Sequence, residues 1–156
     1  MLFVLAGLIA LFVMARLRYP GRAPLRLEEK ECDADLWKHV YPPDRLRVIE
    51  ACTVVDGRVV SVHRASDGDL HVALDPENKS VLNLVNAIHA HRHLVVEIIC
   101  ERAPAGGDAV AACAGFTQPV AIPKVGDRIR VTGAYVTDTE SGWNEIHPMN
   151  RIETLR

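Results

Sequence analysis

Acids and histidines alternate in two short, separate stretches of the sequence. The run 142–148 reads Gly-Trp-Asn-Glu-Ile-His-Pro, and the run 67–71 reads Asp-Gly-Asp-Leu-His. Alternate residues of an extended strand share a face, so Glu145 lies beside His147 and Asp69 beside His71. Such groups can bind a divalent metal or exchange protons, and they can equally form a structural hydrogen-bonded face.

A series of strands is predicted to position these residues. Apolar alternation and turn signals place the strands at 48–64, 69–74, 94–101, 128–136 and 143–152, with short helices at 80–90 and 108–116. Gly57 is expected to mark a bulge or a sharp bend in the first strand. This order predicts a mainly β fold, a five-stranded OB-like Greek-key barrel with short helices.

Strand order brings the polar residues onto one outer face. In such a barrel the third strand lies between the second and the fifth, and Leu70, Val96 and Ile146 point into the core. The ligand-binding candidates on the opposite face are Asp69, His71, Glu97, Trp143, Glu145 and His147.

Three interpretations of this face remain open. His71 and His147, with a carboxylate from Glu97, Glu145 or Asp69, have the donors for a zinc or iron-type site. The same residues can form a structural polar network. A one-residue slip in register would instead turn all of them inward. Trp143 is expected either to stack on a ligand or to pack beneath a segment that contains Trp37.

A second histidine cluster occupies residues 89–93. His89, His91 and His93 share a face in an extended chain, whereas only His89 and His93 do so in a helix. Such spacing can bind a transition metal, but a solvated loop is the more usual outcome.

The N-terminal segment predicts attachment to a membrane. Residues 1–15 carry no charged side chain, and Arg16 and Arg18 follow. Fifteen helical residues span roughly 22 Å, short of a ~30 Å hydrocarbon core, although arginine stems can extend that reach. We predict a single-pass anchor helix at 1–18, a linker and lead-in at 19–47, and the barrel at 48–156. A cleaved signal peptide and a buried soluble helix are the alternatives.

The arginines and the cysteines give opposite predictions for the side of the membrane on which the domain lies. The arginines that follow the apolar run favour a cytoplasmic domain. The four cysteines lack metal-type spacing, and a Cys100–Cys113 disulfide is expected to close a glycine-containing loop. Disulfides favour an oxidising compartment, so we predict an extracytoplasmic domain.

Composition argues against nucleic acid as a partner. The net charge is −2 and aromatic residues make up 5% of the chain, whereas a nucleic-acid binder needs a basic surface or a stacking platform. Neither a phosphate-binding glycine loop nor a nucleophile elbow is present.

Residues 41–152 resemble a group of uncharacterised prokaryotic OB-like proteins, many of which have a secretory or anchoring N-terminus. The resemblance rests on the runs 67–71, 94–100 and 142–148, with Arg45-Leu46, Cys52 and Ala111-Ala112-Cys113. Cys32 and the histidines at 89–93 are less typical of the group. The resemblance implies a fold and a location, and no activity.

Taken together, these features favour a membrane-anchored binding or assembly module over an enzyme. Its polar face would bind a small ligand, a metal or a protein partner in a membrane-associated complex. The alternatives are a metal-dependent enzyme or metal-binding protein that uses His71, His147 and a carboxylate, and a binder of single-stranded nucleic acid.

Overall fold

The longest element of the computed structural model is its first strand. The structure describes residues 32–156. Strand β1 (Leu46–Arg64) pairs along its first part with β4 (Arg128–Asp138) and along its second part with β2 (Leu70–Pro76). Strand β3 (Leu94–Ile98) and strand β5 (Asn144–Thr154) complete a closed barrel in the order β1-β2-β3-β5-β4. The protein is therefore mainly β, as the sequence predicted.

Short helices connect the strands. Helix α1 (Leu84–His89) lies between β2 and β3, and helix α2 (Ala109–Ala112) lies between β3 and β4. Both are shorter than the predicted ranges. The predicted helix at 80–90 begins instead with a separate 3-10 turn at Lys79–Val81, and the capping box of Asn83 and Asn86 starts α1 only after it.

A lead-in segment, residues 32–45, precedes the barrel. It contains the 3-10 helices Ala34–His39 and Pro43–Arg45. The Cys32–Cys52 disulfide joins it to β1, and the backbone N–H of Asp33 donates to Asn150 on β5 at 2.8 Å. The sequence did not predict this disulfide, although Cys32 and Cys52 are the pair that remains once Cys100 and Cys113 are joined.

The anchor predicted at 1–18 lies outside the described residues. Within residues 32–156, none of the helices has the length and apolar character needed to cross a membrane.

Period-two alternation fills the barrel interior. Leu70, Val72 and Leu74 of β2 face Leu94, Val96 and Ile98 of β3, and all are fully buried. Ile146 adds the inward side chain of β5. The predicted direction of each strand is therefore correct, so the opposite face carries the polar residues.

Glycine is needed where strands approach most closely. Gly57 does not mark the bulge that was predicted there, because the register of β1 shifts at Val59/Ser61 and between Val48 and Thr53. A Cβ atom at Gly57 would instead lie 2.6 Å from a backbone oxygen of β2. At Gly133 a Cβ would lie 2.5 Å from Ile146 Cγ2 and 2.7 Å from Pro148 O.

Gly133→Ala tests this closure. We expect a loss of about 1–3 kcal/mol in the free energy of unfolding, because the added methyl group meets backbone atoms that cannot rotate away. Urea denaturation measures it. The control is Ser61→Ala on the exposed part of β1, where about 0.5 kcal/mol or less is expected. Equal effects of the two substitutions would contradict the close approach of β4 and β5.

Candidate functional site

The outer face of β2, β3 and β5 brings the predicted acids and histidines together. His71 is paired with Glu97 across β2 and β3, and Val95 is paired with Glu145 across β3 and β5. Most of this face is not open to solvent, however. Asp69, Glu97, Glu145 and His147 are each at most 3% exposed, whereas His71 and Trp143 are half-buried.

The lead-in explains part of this burial. Its last residue, Arg45, places its guanidinium 4.0 Å from Glu97 and 3.6 Å from Asp138. Val40 is buried, and the His39 ring stacks on Phe116, with 3.8 Å between ring centroids. The lead-in therefore contacts the connection between β3 and β4, and its Arg45 lies against the buried acids of this face.

His147 lies at the centre of the cluster. Its Nδ1 atom is 2.9 Å from Glu97 Oε2, at ion-pair distance, and 3.1 Å from Glu145 Oε1, with which it forms a hydrogen bond. A carboxylate can only accept, so the imidazole donates to Glu145. The Trp143 indole N–H donates to the other oxygen of Glu145 at 3.0 Å.

Burial and charge oppose each other at these groups. Burial disfavours the imidazolium, but Glu97 and Glu145 outweigh it and raise the pKa of His147 to about 10. Burial would likewise raise the pKa of Glu97, yet His147, His71 and Arg45 lower it to about 2. His147 and Glu97 thus form an ion pair in the interior.

The other two carboxyls respond mainly to desolvation. Burial raises the pKa of Asp69 to about 7, although the backbone N–H of Cys100 donates to Asp69 Oδ1 at 2.6 Å and opposes the shift. Burial also raises the pKa of Glu145, against the hydrogen bond from His147. Glu145 shares its basic partner, His147, with Glu97.

An asparagine pair fixes the start of β5 and therefore the position of Glu145 and His147. Asn86 in α1 donates to Asn144 O at 2.9 Å and accepts from Asn144 N at 2.9 Å. The Asn144 side chain accepts from Thr137 and donates to Tyr135. This network could not be predicted from the sequence because α1 and β5 are far apart in the chain.

Some polar atoms of the cluster have no hydrogen-bond partner. His147 Nε2, His71 Nε2 and Glu97 Oε2 are all buried without one. His71 Nε2 is 3.4 Å from Glu97 Oε1. One ligand atom each from Asp69, Glu97 and His147 lies within 4.8 Å of the others, so these residues form a group that could hold a metal ion. The sequence predicted His147 and a carboxylate from Glu97, Glu145 or Asp69 as ligands, together with His71, which does not belong to this group.

Comparison with known proteins does not assign the site. The chain matches no protein-family model, and it matches no curated protein. Its function must therefore be argued from its own residues.

The other predicted residues lie apart from this cluster. His89 ends α1, His91 has a positive φ of 52°, and His93 precedes β3, so these three form neither an extended nor a helical array. Trp37 lines a cleft of about 280 Å³ with Pro148 and Asn150. Its predicted contact with Trp143 stays a prediction.

The Cys100–Cys113 disulfide is confirmed, with a Cα–Cα distance of 5.4 Å. Asp69 and both sulfur atoms lie within 4.8 Å of one another, but disulfide sulfurs lack the thiolates that bind metals. This second grouping is therefore structural in the oxidised protein.

Arg45→Met tests whether the lead-in stabilises the cluster electrostatically. Removing the cation leaves Glu97 and Asp138 buried without it, and we expect a loss of about 3 kcal/mol in unfolding free energy. Arg45→Lys should retain part of that stability. The control is Arg64→Met, which breaks an exposed ion pair with Glu101 and should have a much smaller effect. Equal losses in denaturant unfolding would show that Arg45 contributes no more than a surface charge.

Proposed function

We propose that the chain is an OB-type binding or assembly module with no catalytic role. The strand order and the helix between the third and fourth strands support the OB assignment, which remains our interpretation of a closed five-stranded barrel. OB barrels commonly bind ligands on the face that includes the second and third strands.

One observation carries the proposal: half-buried residues lie directly beside buried charges on that face. Ala73 pairs with Val95, His71 pairs with Glu97, and all but Glu97 are partly exposed. Trp143 adds a partly exposed aromatic ring that is fixed by its hydrogen bond to Glu145. Small residues, an aromatic ring and a histidine offer a shallow surface for a partner.

Three clefts formed by residues 32–156 support binding over catalysis. Their volumes are about 280, 360 and 560 Å³. Residues other than the acids and histidines of the cluster line each one, so these acid–base groups do not open into them. We therefore favour a protein partner in a membrane-associated complex over a substrate.

We further propose that residues 1–18 anchor the chain in a membrane, with the barrel on the oxidising side. The two disulfides support this location, because such bonds persist mainly in oxidising compartments. The balanced composition also gives no support to nucleic acid as the partner.

Thiol labelling of the full chain in intact cells tests the location. We expect all four cysteines to resist a membrane-impermeant maleimide until an external reductant is added, and then to react. Labelling only after the membrane is lysed would place the barrel inside and overturn this part of the proposal. Cells that carry a periplasmic and a cytosolic marker protein provide the controls.

Photocrosslinking from the proposed face tests the partner. A photoreactive phenylalanine analogue replaces Ala73 in the full chain, in cells that naturally produce it. We expect a discrete protein adduct that disappears in a Trp143→Ala background. The same analogue at Asp108, an exposed position before α2, is the control. No adduct at position 73, or the same adduct at 108, would contradict binding by this face.

A further inference from the structure

We propose that Asp69, Glu97 and His147 bind one divalent transition-metal ion beneath the half-buried His71. This inference deepens the proposed function and rests on it only for location, since the ion would lie on the same face of the barrel.

The donor set suits such an ion. Two carboxylates and an imidazole are ligands of zinc, manganese and ferrous iron, whereas magnesium and calcium prefer oxygen alone. Opposite ligands ~2.1 Å from an ion are ~4.2 Å apart. The ligand atoms lie within 4.8 Å of one another, so small side-chain rotations would close the site.

Unpartnered buried atoms provide an independent observation. His147 is fully buried, and its Nε2 atom has no hydrogen-bond partner among the described residues. Glu97 Oε2 and His71 Nε2 share that condition. Leaving a buried polar atom unpaired costs about 1–3 kcal/mol. A bound ion would engage Nε2 of the deprotonated His147, whereas Glu97 Oε2 already lies 2.9 Å from His147 Nδ1.

The surroundings of His147 match those of a metal-bound histidine. Ligating imidazoles commonly donate their second ring nitrogen to a carboxylate, which orients the ring. Here Nδ1 contacts Glu145 at 3.1 Å and Glu97 at 2.9 Å, and Trp143 in turn holds Glu145 at 3.0 Å. Glu145 is therefore a positioning residue. Nε2 is the ring nitrogen that could bind the ion without breaking a hydrogen bond. Ligation through Nε2 requires the Glu97 carboxylate to turn away from Nδ1 towards the ion.

Charge also favours a cation. Four carboxyl groups, those of Asp69, Glu97, Asp138 and Glu145, are buried here, and Arg45 is the permanently charged side chain paired with them. A ligating nitrogen must be neutral, so the ion would displace the imidazole proton to solvent. Exchanging that proton for a divalent ion would reduce the excess negative charge by one.

The experiment measures zinc binding to the full chain, purified in detergent and stripped with a chelator. Calorimetric titration with zinc chloride and elemental analysis after buffer exchange should both give one ion per chain. Substitution by Co²⁺ should give visible absorption bands typical of nitrogen and oxygen ligands. Absence of saturable one-to-one binding in the unmodified chain overturns the inference, whether or not any variant folds.

Variants then locate the ion. Outer partners of metal ligands typically contribute 10–100-fold in affinity, so we expect about that loss in Glu145→Gln and a larger one in Glu97→Gln. Glu101→Gln, just beyond the end of β3, is the matched control and should bind normally. A triple alanine variant at His89, His91 and His93 should also bind normally, and loss of zinc there would overturn the assignment.

The two proposals fail separately. Loss of zinc binding with retention of the adduct at position 73 would reject the metal and keep the binding face. Zinc binding without an adduct would reject the protein partner and keep the ion.

Discussion

The burial of His147 between Glu97 and Glu145 is the constraint on which the site depends. An imidazolium taken out of water costs several kcal/mol unless carboxylates compensate it, and those carboxylates then need partners of their own. Trp143 supplies one to Glu145, and Arg45 supplies one to Glu97. Because Arg45 belongs to the lead-in, the buried carboxylates are balanced only when that segment is folded against the barrel.

The same interaction reinforces the shortest pairing of the barrel. Strands β3 and β5 are joined in register only at Val95↔Glu145 and Val96↔Ile146. The Glu97–His147 ion pair crosses this seam one residue further along β3. A cross-strand contact contributes most to the stability of a strand pair where backbone hydrogen bonds are fewest. The buried charges and the closure of the barrel therefore stabilise each other. This coupling gives the polar cluster a structural role whatever else it binds.

Alternation along each strand could be predicted from sequence because it is local. The inward direction of Leu70, Val96 and Ile146 follows from a period of two, and so does the shared face of Glu97 and His147. Burial of that face could not be predicted, because it depends on Arg45, which is more than fifty residues from Glu97. A bulge at Gly57 was predicted wrongly for a related reason: the residue permits a close approach to β2, which only the folded chain reveals.

A network of buried charges with only a structural role would close this barrel at a high cost in desolvation free energy. Well-packed apolar side chains usually stabilise an interior as well as a buried ion pair does, or better. The polar atoms of this cluster are also incompletely satisfied, since His71 Nε2 and His147 Nε2 lack hydrogen bonds. Half-buried His71 lies 3.4 Å from Glu97, and half-buried Trp143 donates to Glu145. A structural role accounts for the ion pair between β3 and β5. The unpartnered Nε2 atom of buried His147 and the half-buried side chains of His71 and Trp143 are the features that point to a ligand.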